Sequence, residues 1–156
     1  MANEQWMERA IELAVENVRS GRGGPFGALV VKRGQVVATG VNLVTSSNDP
    51  TAHAEVVAIR AACQALGSFQ LDDCAIYSSC EPCPMCLAAI YWARTAAYYF
   101  ACSREQAAEA GFNDKRIYEE LALAPGQRSI PGHCLLPDAG LRAFEEWGRS
   151  VDKIRY

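Results

Sequence analysis

The stretch "SSCEPCPMC", residues 78–86, constrains the fold more than any other part of this chain. Cys80, Cys83 and Cys86 stand at equal three-residue spacing, with Pro82 and Pro84 between them. A strand ending near Cys80 must therefore turn and re-emerge as a helix that starts at the second proline, a residue suited to the first helical position. Two overlapping C-x-x-C pairs compete for one role. Cys83 and Cys86 lie one helical turn apart on the same face, close to the positive end of the helix dipole, which favours thiolates. Cys80 lies across the proline turn. The spacing selects Cys83 and Cys86 as the ligand pair of a metal site.

What completes such a site decides its chemistry. A structural zinc centre closes on four protein ligands, whereas a catalytic one uses three and keeps a position open for water. The chain has only two histidines. One of them, His53 in "PTAHAEVVAI", falls at the start of a helical pattern. All three cysteines with His53 would close the site; Cys83, Cys86 and His53 leave it open. Glu55 follows two residues after His53. Helical positions two apart point in different directions, yet side-chain bonds tilt toward the amino end, so both residues converge on a metal just beyond it. There the histidine offers a ring nitrogen. The glutamate offers a carboxylate that takes a proton from attacking water and delivers it to the substrate. Without its neighbours, Glu55 would read as a first-turn glutamate favoured by the helix dipole.

With 156 residues, half of them hydrophobic, the chain has material for one well-filled core and not for two ordinary domains. Apolar residues at three-and-four spacing predict a helix over 4–18 with Asn3 as its cap. "ALVVK", a turn at "RGQ" and "VVATGVN" predict a hairpin whose apolar strands need helical cover. A polar loop "TSSNDPT" follows, then a helix over 52–66 that ends at Gly67. "CAIYSS" and "AAYYFAC" read as strands, and 84–93, 103–110, 115–122 and 138–149 as helices. Strands alternating with helices give an α/β class, one sheet between helical layers. No run of about 18 apolar residues appears, and the first residues do not read as a secretory signal, so a membrane partner is not expected and a cytoplasmic location is. Seven cysteines, an odd number, argue for reduced thiols rather than a disulfide framework. A net charge of -3 provides no basic footprint for nucleic acid.

The pairing of "HAE" with "EPCPMC" matches the H-x-E and P-C-x-x-C signature of zinc deaminases, and the chain resembles the cytidine deaminase-like superfamily of zinc hydrolases. "GGPFGALVV", "VTSSNDPTAHAEVVAIR", "LDDCAIYSSCEPCPMCLAAIYWAR", "AAEAGFNDKRIYEE" and the terminal "KIRY" are similar to the bacterial guanine deaminases of that superfamily; between residues 122 and 149 little can be matched. The resemblance implies a three-layer α/β/α sandwich around a mixed five-stranded sheet, one zinc per chain, and hydrolysis of guanine to xanthine and ammonia. His53, Cys83 and Cys86 would bind zinc, and Glu55 would be the catalytic proton shuttle. Asn42 would meet the purine's carbonyl and imidazole edge, and Asp114 its ring NH and exocyclic amine. Phe26, Ala54 and Trp92 would hold the flat base, with Tyr156 closing the pocket. It further implies a homodimer in which the carboxyl-terminal segment, about 120–156, is exchanged between chains.

These assignments have plainer readings. Asn42 suits a turn, Asp114 a helix cap, Phe26 loop packing and Trp92 a core; Cys63, Cys74, Cys102, Cys134 and His133 read as structural. The same residues also suit other functions: deamination of a different small amine such as guanosine, cytosine or an aminated triazine, a tRNA adenosine deaminase, or a non-catalytic zinc-stabilised nucleotide-binding protein. The acidic balance of the chain weighs against tRNA, and Glu55 weighs against a purely structural zinc site.

Overall fold

A computed structural model describes residues 3–156. Helix α1 (Glu4–Arg19) starts at Asn3, whose side chain accepts a hydrogen bond from the Gln5 amide at 2.9 Å, the expected cap. Strands β1 (Gly27–Lys32) and β2 (Gln35–Val41) form an antiparallel hairpin. Its two-residue turn places both Arg33 and Gly34 at positive φ, the geometry that matches strand twist. A four-residue helix, α2 (Val44–Ser47), occupies the start of the segment expected to be loop. Then come α3 (Ala54–Leu66), β3 (Cys74–Cys80), α4 (Pro84–Trp92), β4 (Ala97–Cys102) and α5 (Arg104–Glu109). They are followed by α6 (Lys115–Ala122), a 3-10 turn at Pro125–Gln127 and α7 (Pro137–Arg149).

The sheet is mixed, in the order β2-β1-β3-β4, with β1 antiparallel to both its neighbours and β3 parallel to β4. The period-two alternation of strand side chains divides the core. Ala28, Val30, Cys74 and Ile76 pack with Ala54, Ala58 and Ala62 of α3 and Ile90 of α4. Leu29, Val31 and Tyr77 face the other way, against Ala10, Trp6 and Met7 of α1. The central strands are thus buried on both faces, which is why they read as continuous apolar runs. The sheet has four strands among the described residues, not the five that the resemblance implies. The chain after β4 is helical or irregular, and its long connection, residues 123–136, contains Pro125 and Pro131 with Gly126 and Gly132. Proline lacks the amide that a ladder needs, and glycine resists extension, so no fifth ladder forms there.

The chain forms two compact units, one extending to Lys115 and the other Arg116–Tyr156. The first holds the sheet and both cores. In the second, Glu120 accepts from the Ser129 amide at 2.7 Å, and Arg128 donates to the carbonyls of Glu120 and Leu123. No helix among the described residues is long and apolar enough to cross a membrane.

Candidate metal centre

The two helices on the α3 side of the sheet begin with ligand-type residues. His53 is the N-cap of α3 and Cys83 the N-cap of α4; both have extended backbone, and neither side chain caps its helix. Expectation put His53 inside the first turn; it stands just before it. Both side chains are thereby freed from their helices. His53 Nδ1 lies 3.6 Å from Cys83 Sγ and 3.5 Å from Cys86 Sγ. The three residues place their donor atoms within 4.8 Å of one another.

Electrostatics fit the same arrangement. The hydrogen bond from Cys86, together with His53, draws the Cys83 thiol down to about 4, which favours its thiolate. Cys86 is shifted upward, chiefly because it donates to that thiolate. A bound cation would stabilise both sulfurs as thiolates in place of that proton. Two soft sulfurs and an imidazole nitrogen are the donors that zinc takes, and three protein ligands leave a position for water. The residues present fit a catalytic zinc.

Cys80 is the last residue of β3, and its buried thiol is pushed up to about 11 by desolvation. Its Sγ contacts the Ser103 carbonyl at 3.9 Å, and it does not join the three-residue cluster. The turn beyond it is held by Glu81: its amide donates to the Cys102 carbonyl at 2.8 Å, and its carboxylate pairs with Arg104 at 3.2 Å.

Glu55 is 6% exposed, and burial raises its carboxyl above the ordinary carboxylate range. Ser78 of β3 donates to Glu55 Oε1 at 3.0 Å, aiming the carboxyl across the start of the helix. Sequence reasoning missed Ser78. Its signal was a polar residue on the face of β3 that carries Cys74 and Ile76 into the core.

The remaining predicted site residues fall into two groups. Asn42 (8% exposed) follows β2, and its amide donates to the Phe26 carbonyl at 3.1 Å, so these two are neighbours. Phe26 makes an edge-to-face contact with Phe112, ring centroids 4.9 Å apart, a second residue the sequence reading did not single out. Two residues further on is Asp114, whose carboxyl is raised chiefly by burial and also feels Cys83 and His53. Ala54, fully buried, opens α3 between His53 and Glu55. Trp92 sits at the opposite end of α4 from Cys83 and is 66% exposed, while Tyr156 lies exposed in the second unit. His133 and Cys134 are exposed in that unit too.

Residues 1–102 match the family described as "Cytidine and deoxycytidylate deaminase zinc-binding region", and the chain belongs to that family of zinc-binding deaminases. Among its relatives, a guanine deaminase of Bacillus subtilis (strain 168) is 52% identical over 156 residues, covering 100% of both chains. The solved structure of the guanine deaminase from Bacillus subtilis superposes with a TM-score of 0.97 over 100% of this chain and 99% of that one. A guanine deaminase structure from Nitrosomonas europaea is 31% identical, with a TM-score of 0.69 over 72% of this chain and 65% of that one. A tRNA-specific adenosine deaminase of Agrobacterium fabrum is 46% identical over 76 residues, 49% of this chain and 50% of that protein.

Proposed function

We propose that this chain catalyses the zinc-dependent hydrolytic deamination of guanine to xanthine and ammonia. The observation that carries the chemistry is a buried carboxyl, Glu55, set beside a three-ligand His53, Cys83, Cys86 cluster. The end-to-end match to a guanine deaminase supports the substrate, because the matches to tRNA adenosine deaminases are partial.

Zinc bound at the cluster supplies a Lewis acid that makes water nucleophilic near neutral pH. Glu55 would move two protons in turn: the one that water loses on attack goes to the ring nitrogen beside that carbon, and the one the added hydroxyl then gives up goes to the amine, which leaves as ammonia. Its buried position suits a group that carries a proton between two sites. Asn42 donates to the carbonyl and imidazole edge of the base, and Asp114 accepts from the ring NH and the amine. Such a carboxylate discriminates strongly, since a base without those donors leaves it unpaired. Phe26 and Ala54 line the flat faces.

Trp92 and Tyr156 complete the enclosure in a homodimer with the carboxyl-terminal segment exchanged. Two exposures support that reading. Tyr91, Trp92, Tyr98 and Phe100 leave an aromatic surface along α4 and the β4 edge, and no residue of the second unit is buried. Its helix α7 presents Leu141, Phe144 and Trp147 uncovered. Apolar surface of this extent marks an interaction site.

The test is ammonia release from guanine, guanosine, adenine, cytosine and isocytosine by the zinc-loaded protein, with Glu55→Gln beside it. Guanine turns over fastest, and Glu55→Gln keeps its zinc while losing about 10²- to 10⁴-fold in kcat. Near-normal turnover by zinc-replete Glu55→Gln sinks the mechanism, and preference for another amine sinks the substrate.

A further inference from the structure

Asn17, in the carboxyl-terminal turn of α1, is fully buried, on an element that carries none of the residues assigned above. Burying a carboxamide is unfavourable unless it is hydrogen-bonded. Its Nδ2 donates to the Gly24 carbonyl at 2.9 Å and to the Asn42 carbonyl at 2.8 Å, spanning 25 residues of sequence in the second bond. Both bonds end on the frame around Asn42. The Asn42 amide donates to Phe26, and the Gly24 carbonyl accepts from the Phe26 amide at 2.9 Å. Gly23 approaches so closely that a Cβ there would fall 2.1 Å from the Asn42 carbonyl oxygen.

This frame decides which end of the Asn42 carboxamide is available. Its Oδ1 accepts from the backbone amides of Gly24 at 3.2 Å and Val44 at 3.3 Å. Main-chain amides only donate, so the oxygen must face them and the assignment of the two amide ends is unambiguous. The Nδ2 end donates no hydrogen bond to any described residue. Asn42 thus offers a donor and not an acceptor.

We propose that Asn17 is a positioning residue for specificity: it anchors Gly24 and Asn42 so that Asn42 turns its NH2 to the base, selecting bases that present hydrogen-bond acceptors on that edge. The inference rests on the reading of Asn42 as a base contact. Without Asn17, the Gly24 loop and the end of β2 keep only the Gly24 and Val44 amide bonds to Asn42 Oδ1 and the Asn42 bond to Phe26, and the carboxamide shifts from its place.

The experiment uses zinc-loaded full-length protein and compares guanine with 7-deazaguanine, which replaces the N7 acceptor with C–H and leaves the ring NH and the amine intact. 6-Thioguanine, whose sulfur is a weak acceptor, serves as the second probe. Loss of one such hydrogen bond corresponds to about tenfold in kcat/KM. Asn17→Leu removes both N–H donors while keeping the same branched shape; the smaller Asn17→Ala keeps the result readable if the bulkier leucine prevents folding. Either variant raises KM for guanine about tenfold with kcat within about twofold, and lowers the guanine preference to that of Asn42→Ala. The double variant Asn17→Leu/Asn42→Ala loses no more preference than Asn42→Ala alone, because both act through one contact. Wild-type preference in both Asn17 variants, beside a lost preference in Asn42→Ala, overturns the proposal, as does full additivity in the double variant. An unchanged preference in Asn42→Ala overturns the base-contact reading, and the proposal with it.

Discussion

His53 and Cys83 occupy N-cap positions where serine, threonine, aspartate or asparagine ordinarily serve, and neither caps. An N-cap hydrogen bond contributes typically about 1 kcal/mol, so each helix forgoes that stabilisation to leave a ligand unattached. The positive ends of two helices then meet at the thiols, and both they and the Cys86 hydrogen bond favour the Cys83 thiolate. Cys80 differs in place and in partners: it ends a strand, its Sγ meets the Ser103 carbonyl, and desolvation shifts its thiol upward. Metal analysis of single variants checks the contrast. Cys86→Ala loses most of its zinc, whereas Cys80→Ala retains about one zinc per chain; retention by Cys86→Ala with loss by Cys80→Ala would reverse the ligand pair.

At the scale of elements, the site is built by how closely helices approach the sheet. A Cβ on Gly40 of β2 would lie 2.2 Å from the Ala54 carbonyl oxygen and 2.5 Å from the Ala58 amide nitrogen. Gly27 of β1 meets α1 in the same way, at 2.4 Å from the Ala10 carbonyl oxygen. Backbone atoms cannot rotate aside, so Gly40→Ala must push out the helix that carries Glu55 and follows His53. Overpacking of this kind costs about 1–3 kcal/mol. Gly40→Ala should therefore lower the thermal midpoint by several degrees, roughly 2–4 °C per kcal/mol for a chain of this size. It should also weaken zinc retention in a chelator titration. An unshifted midpoint would mean that the β2 and α3 contact is not tight.

For the whole molecule, the informative feature is unevenness. The sheet unit buries its central strands on both sides, while residues 116–156 contain no buried residue although α7 carries leucine, phenylalanine and tryptophan. A helix with an uncovered apolar face obtains its stability from packing elsewhere. A chain ending at Lys153 tests what the terminus contributes. It removes the Tyr156 aromatic ring, worth about tenfold where it stacks on a base, so guanine kcat/KM falls by about that factor while zinc binding persists. Sedimentation of the full and shortened chains reports whether the proposed dimer forms and whether it needs the terminus. Wild-type turnover and KM in the shortened chain would make the tail a frayed end and remove Tyr156 from the pocket.

The sequence by itself determined nearly all the elements and singled out the three residues that the structure gathers into one donor cluster. Period-two and three-and-four patterns mark the four strands and six of the seven α-helices among the described residues, because burying one face of each element leaves that imprint. The spacing of Cys83 and Cys86, the prolines beside them and Glu55 after His53 are local features that one helical turn expresses. The fifth strand came from resemblance and not from any run of residues, and the proline-bearing chain after α6 does not form it. Only the tertiary structure decided that Ser78 aims Glu55, that Phe112 meets Phe26, and that Asn17 holds Asn42 from another element. Each of these joins residues more than 20 positions apart through a hydrogen bond or a ring contact. Side-chain identity alone does not encode such a partner; strand order and helix approach do.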